Sequence, residues 1–82
     1  MEVYSPERSI YMENRKSDIH ISHNIARLRR KMGLTQTELA DRLYVSNKTI
    51  SKWETGLGYP EITLLPRLAA ALGVTVDHLL NG

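Results

Sequence analysis

The sequence predicts an all-α fold, five short helices around one core. Three observations carry that expectation. From residue 19 onward apolar residues recur with a helical period, and no stretch alternates as a strand would. Helix-start residues stand at Thr35, Ser46 and Thr75, each flanked by apolar residues spaced to staple across it (Leu34 and Leu39, Val45 and Ile50, Val74 and Leu79). Gly33 and Gly73 fall where helices must stop. The 82 residues suit one small domain. A core of that size is marginal, so caps and staples count.

The totals exclude several classes. The chain has no cysteine, which removes disulfides, thiolate metal sites and cysteine nucleophiles. No apolar run approaches the roughly 20 residues of a membrane span. Charges interrupt the N-terminus, so it lacks a signal-peptide pattern. The expectation is a soluble, cytoplasmic protein. The formal net charge of +2 is uninformative until it is mapped. Residues 21–56 hold Arg27, Arg29, Arg30, Lys31, Arg42, Lys48 and Lys52 against Glu38, Asp41 and Glu54, net +4, while each flank is net −1. A basic block of this kind fits an anionic partner or a plain solvated face.

Residues 1–18 read as a mobile N-terminal arm, with Ile10-Tyr11-Met12 too weak a signal to place an element. Residues 19–82 form the expected domain. In the first helix Ile21, Ile25, Leu28 and Met32 make the buried stripe, and Asp18 or Ser22 is the N-cap. Arg27, Arg29, Arg30 and Lys31 load its C-terminal half, where cations suit the dipole. The second helix, about 36–43, opens on a capping box, Thr35-Gln36-Thr37-Glu38, and buries Leu39, Ala40 and Leu43. It must end near Tyr44, because Ser46 caps the third helix, about 47–54. There Ile50 and Trp53 face the core, with Glu54 close to that side. Asn47, Lys48, Ser51 and Lys52 face outward, polar and cationic without apolar interruption. The loop at 55–60 holds two glycines and a proline. The fourth helix runs from about Leu64 to Leu72, capped by Thr63, with Pro66 in its first turn and Leu65, Leu68, Ala69 and Leu72 buried. Thr75 caps the last, Val76–Leu80.

The stretches Ile25-Ala26-Arg27-Leu28-Arg29, Gly33-Leu34-Thr35-Gln36-Thr37-Glu38-Leu39-Ala40, Val45-Ser46, Thr49-Ile50-Ser51-Lys52-Trp53-Glu54-Thr55-Gly56 and Leu68-Ala69-Ala70-Ala71-Leu72-Gly73-Val74 resemble the phage-repressor or Cro-type helix-turn-helix proteins, the XRE family. The resemblance covers about residues 19–82. It implies a lambda-repressor-like DNA-binding domain whose third helix lies in a DNA groove. It implies that Asn47, Lys48 and Lys52 stand at groove-facing positions, with Ser51 beside them on the same face. Gln36, Ser46, Thr49 and Thr55 match phosphate-contacting positions, and the Gln36 amide can also brace the third helix. Arg29 and Glu54 match a buried ion pair. The family's dimer surfaces correspond here to Leu57, Tyr59, Val76 and Leu80, expected to be exposed. Tyr44 departs from the pattern, which favours a small residue, often glycine, where the chain tends to φ > 0. Tyrosine there costs on the order of 1 kcal/mol.

The residue chemistry supports these roles separately. Helix starts present free N–H groups and a positive dipole to phosphates. Asn47 can pair with adenine, and Lys48 or Lys52 can donate to guanine O6 and N7. Trp53 is read as core. Arg42 is read as a surface residue, and Arg30 and Lys31 equally as solvated charges or phosphate contacts. His20 and His23 are spaced to share a metal, but no further ligands complete a site, and His78 is a surface residue at a third helical position. No phosphate-cradling glycine loop, nucleophile elbow or carboxylate pair is recognisable. The expectation is therefore no enzyme, no metal, no cofactor and no evident small-molecule site. The function read is a sequence-specific transcriptional regulator, a repressor acting as a homodimer on double-stranded DNA at a roughly palindromic operator. The alternative is a protein-interaction module of the same fold, an antitoxin or bridging domain.

Overall fold

The computed structural model describes residues 20–82. The expected arm at 1–18 and the cap assigned to Asp18 lie outside the described residues. Within them α1 is helical over 20–31, followed by α2 Gln36–Leu43, α3 Asn47–Thr55, α4 Leu65–Ala71 and α5 Val76–Asn81. A single 3-10 turn, Ile62–Leu64, leads into α4. No strand occurs among the described residues. The elements enclose one core, built from Ile21, Ile25 and Leu28 of α1, Leu39, Ala40 and Leu43 of α2, Ile50 and Trp53 of α3, and Leu68, Ala69, Leu72 and Leu79.

Side-chain caps set the starts of α2, α3 and α5. Thr35 accepts from the Glu38 N–H at 3.0 Å while the Thr35 N–H donates to Glu38 Oε1 at 2.8 Å, a complete capping box. The Thr35 N–H and hydroxyl, bonded to Glu38, hold its carboxyl below the ordinary 4.5. Ser46 accepts from the Thr49 N–H, and Thr75 from the His78 N–H. Of the staple residues, Leu34, Leu39, Ile50 and Leu79 are buried, and Val45 and Val74 pack partly buried against the core.

The turn after α2 resolves the question posed by Tyr44. Its φ of 58° and ψ of 40° are left-handed, so the tyrosine takes the strained conformation that glycine takes freely. The residue is 86% exposed, and the Arg67 guanidinium carbon lies 5.7 Å from the ring centroid. Solvent leaves room for the ring, and the cation over its face offsets part of the strain.

Four expectations about the scaffold need correction. Met32 is 47% exposed rather than core, because α1 ends one residue earlier and Gly33, at φ 75°, turns the chain away. Its side chain lies against Gly73 instead, where an added Cβ would stand 3.6 Å from its Sδ. Ser22 does not cap α1; it is buried inside the helix. Thr63 does not cap α4, because the 3-10 turn occupies residues 62–64 and α4 follows from Leu64 with no side-chain cap. Pro66, in the first turn, lacks only an N–H that would have no helical partner there. Val76 is partly buried against the core rather than exposed.

Candidate nucleic-acid interface

The position of α3 follows from three inward side chains. Ile50 and Trp53 are buried, one turn apart, in the core. Glu54, whose side chain is 6% exposed, receives three nitrogens. Arg29 donates from Nε to Oε2 at 2.6 Å and from Nη2 to Oε1 at 3.1 Å. Gln36 Nε2 donates to Oε1 at 3.0 Å. Arg29 Nη1 also donates to the Leu34 carbonyl at 2.8 Å, so one guanidinium joins α1, the turn before α2, and the end of α3. This two-pronged geometry fixes direction as well as distance. The ion pair that the resemblance implied is present, and the Gln36 amide braces α3 as implied.

The outward face carries the charge. Lys48 and Lys52 are exposed, and neither ammonium group bonds another group among the described residues. Ser51 is half-buried between them. At the start of α3, Ser46 and Thr49 share a hydroxyl hydrogen bond of 2.9 Å. The N–H groups of Asn47 and Lys48 lie in the first turn of α3, where the helix supplies no carbonyl for them. Thr55 turns its hydroxyl proton back onto its own helix, to the Ser51 and Lys52 carbonyls at 3.0 and 3.2 Å. Gly56, at φ 80°, closes the helix there. Of the side chains assigned to this surface, Lys48 and Lys52 are exposed cations, Ser46 and Thr49 form a hydroxyl pair, Gln36, Asn47 and Thr55 are bonded within the protein, and Ser51 is half-buried.

The hydrogen bonds made by two asparagines, Asn47 and Asn24, were missed in the sequence. Asn47 Nδ2 donates to Thr37 Oγ1 at 2.6 Å, linking the starts of α3 and α2. Asn24, buried in α1, donates to the Leu79 carbonyl at 2.9 Å and accepts from Arg27 Nη2 at 3.0 Å. Nothing in the spacing marks the Asn47–Thr37 or the Asn24–Leu79 contact. Asn24 could have been noticed as an amide next to Ile25 on the buried side of α1, where an asparagine needs partners. Leu57 and Ile62 are also exposed, at 80% and 82%, as are Tyr59 on the loop and Leu80 on α5. Ile62 was not singled out from the sequence.

A five-helix domain with two helices joined by a tight left-handed turn, the second anchored inward and cationic outward, has the construction of a helix-turn-helix domain. A helix-turn-helix family model matches residues 25–79. The chain belongs to this XRE-type helix-turn-helix family, a family of transcriptional regulators. It is 42% identical over 64 residues to the HTH-type transcriptional activator BcrR of Enterococcus faecalis, covering 78% of this chain and 31% of that protein. It is 32% identical over 59 residues to the cryptic phage CTXphi transcriptional repressor RstR of Vibrio cholerae, covering 72% of this chain and 53% of that protein. The chain thus spans about a third of the activator's length and half of the repressor's. A transcriptional regulator of solved structure from Listeria innocua matches with a TM-score of 0.69 at 29% identity, over 76% of this chain and 58% of that one. No helix of the described residues is long and apolar enough to cross a membrane.

Proposed function

We propose that the chain is a sequence-specific DNA-binding regulator that acts as a homodimer in the cytoplasm and represses by occupying its operator. The observation that carries the reading is α3 itself. Its inner side is locked by Glu54 to two other elements, while Lys48 and Lys52 are exposed outside. A fixed helix with free donors meets the requirement for reading base edges in the major groove. Lys48, Lys52, Asn47 and Ser51 contact bases. The open N–H groups at the starts of α2 and α3, with Gln36, Ser46, Thr49 and Thr55, set register on phosphates. Exposed Leu57, Tyr59 and Leu80 supply apolar surface for a second copy, and Ile62 extends it. The similar proteins include one named an activator and one named a repressor. Repression is the simpler outcome, since a dimer covering a promoter needs no further contact.

Selection of bound sequences from a random DNA pool, with the mass of the complex measured, tests this. The expected result is an enriched, roughly palindromic sequence, with half-site centres about 10 base pairs or a multiple apart and two chains per duplex. Recovery of no enriched sequence would contradict it, and would favour the protein-interaction reading of the same fold.

A further inference from the structure

We propose that Thr37 is a positioning residue for Asn47, and that it sets which base Asn47 reads. The inference rests on the assignment of Asn47 as a base contact. Thr37 is the second residue of α2, and Asn47 is the first residue of α3. Both are exposed, yet Nδ2 of Asn47 donates to Oγ1 of Thr37 at 2.6 Å. Gln36, the neighbouring amide in the same turn, is bonded to Glu54 instead. Thr37 takes no part in the capping box, which uses Thr35 and Glu38. Its hydroxyl is thus the group that turns an otherwise free surface amide into a fixed one.

Donor counting gives the consequence. An asparagine amide has two N–H donors and one carbonyl acceptor. With one N–H on Thr37, one N–H and Oδ1 remain. Adenine offers an acceptor at N7 and a donor at N6, which this remainder matches. Guanine offers two acceptors, O6 and N7, and one remaining N–H serves only one of them. Asn47 held by Thr37 therefore selects adenine over guanine. Without the hydroxyl, the amide rotates freely, and ordering it on a base costs side-chain entropy each time.

The test uses the operator recovered by selection and its single base-pair variants, with the chain carrying Thr37→Val, Thr37→Ala, Thr37→Ser, Asn47→Ala or Thr37→Val with Asn47→Ala. Thermal melting accompanies each variant. Asn47→Ala is expected to flatten the preference at one A·T pair. Thr37→Val and Thr37→Ala should each lower the preference at that same pair by about threefold to tenfold, as loss of one hydrogen bond does. Thr37→Ser should keep it, and the double variant should lose no more than Asn47→Ala alone. Equal weakening at every position by Thr37→Val, additive loss in the double variant, or a G·C preference at the pair governed by Asn47 would each overturn the proposal. If Asn47→Ala flattens a position and the Thr37 variants do not, the positioning role alone fails. If Asn47→Ala changes no position, the base-contact assignment fails and the positioning role falls with it.

Discussion

Along α3 the inward side chains have fixed partners, while the outward cations have none among the described residues. Glu54 holds three nitrogens, and Ile50 and Trp53 are in the core. Lys48 and Lys52 stand in solvent one turn apart. The same nine residues thus carry two different kinds of free energy. The inner contacts stabilise the fold. The outer groups contribute little to it and keep their donors for a partner. The difference teaches that stability and recognition can be separated here by substitution, because the two sets of side chains do not overlap.

The largest expected effect comes from breaking the inner side. Glu54→Ala leaves the largely buried Arg29 guanidinium without its carboxylate and should cost about 3 kcal/mol, read as a clear fall in melting temperature. An unchanged melting temperature would mean that the pair does not hold α3. Next is the turn that aims the helix. Tyr44→Gly relieves the left-handed strain but removes the ring under Arg67, so a gain of about 0.5 kcal/mol is expected. Tyr44→Val puts a branched Cβ in the same conformation and should lose about 1 kcal/mol. A smaller effect lies at the start of α2. Because the folded state holds the Glu38 carboxyl below 4.5, its contribution is present above that value and is lost as pH falls through the depressed value. Glu38→Gln should therefore remove part of the acid-side slope of stability, measured by melting between pH 2 and 6. Smallest of all, Lys48→Ala and Lys52→Ala should shift stability by less than about 0.5 kcal/mol.

Much of this architecture was legible because it is local. Capping boxes, staples and stop glycines act over four or five residues, so Thr35, Ser46, Thr75 and Gly33 gave the helix boundaries to within a residue. That α2 ends near Tyr44 was legible for the same reason, since Ser46 caps the next helix two residues on; the left-handed turn at Tyr44 was implied by the resemblance. The Arg29–Glu54 pair was read through resemblance, since 25 residues separate its members. What stayed hidden depends on where side chains meet across elements. Met32 continued the apolar period of α1, but the period outlasts the helix and cannot show that the turn has begun. Thr63 had the chemistry of a cap, and a 3-10 turn made a cap unnecessary there. Thr37 and Asn47 meet across α2 and α3, and no pattern of residue types records where two helices bring their side chains together.

The central claim is that the outer face of α3 reads sequence while the inner face holds the fold. Affinity of the chain and of the Lys48→Ala, Lys52→Ala double variant should be measured on the selected operator and on a scrambled duplex at several salt concentrations. The account predicts that the gap between operator and scrambled duplex collapses in the variant while its melting temperature stays unchanged. It also predicts a shallower salt dependence in the variant. A variant that still prefers the operator as strongly as the unmodified chain would contradict it.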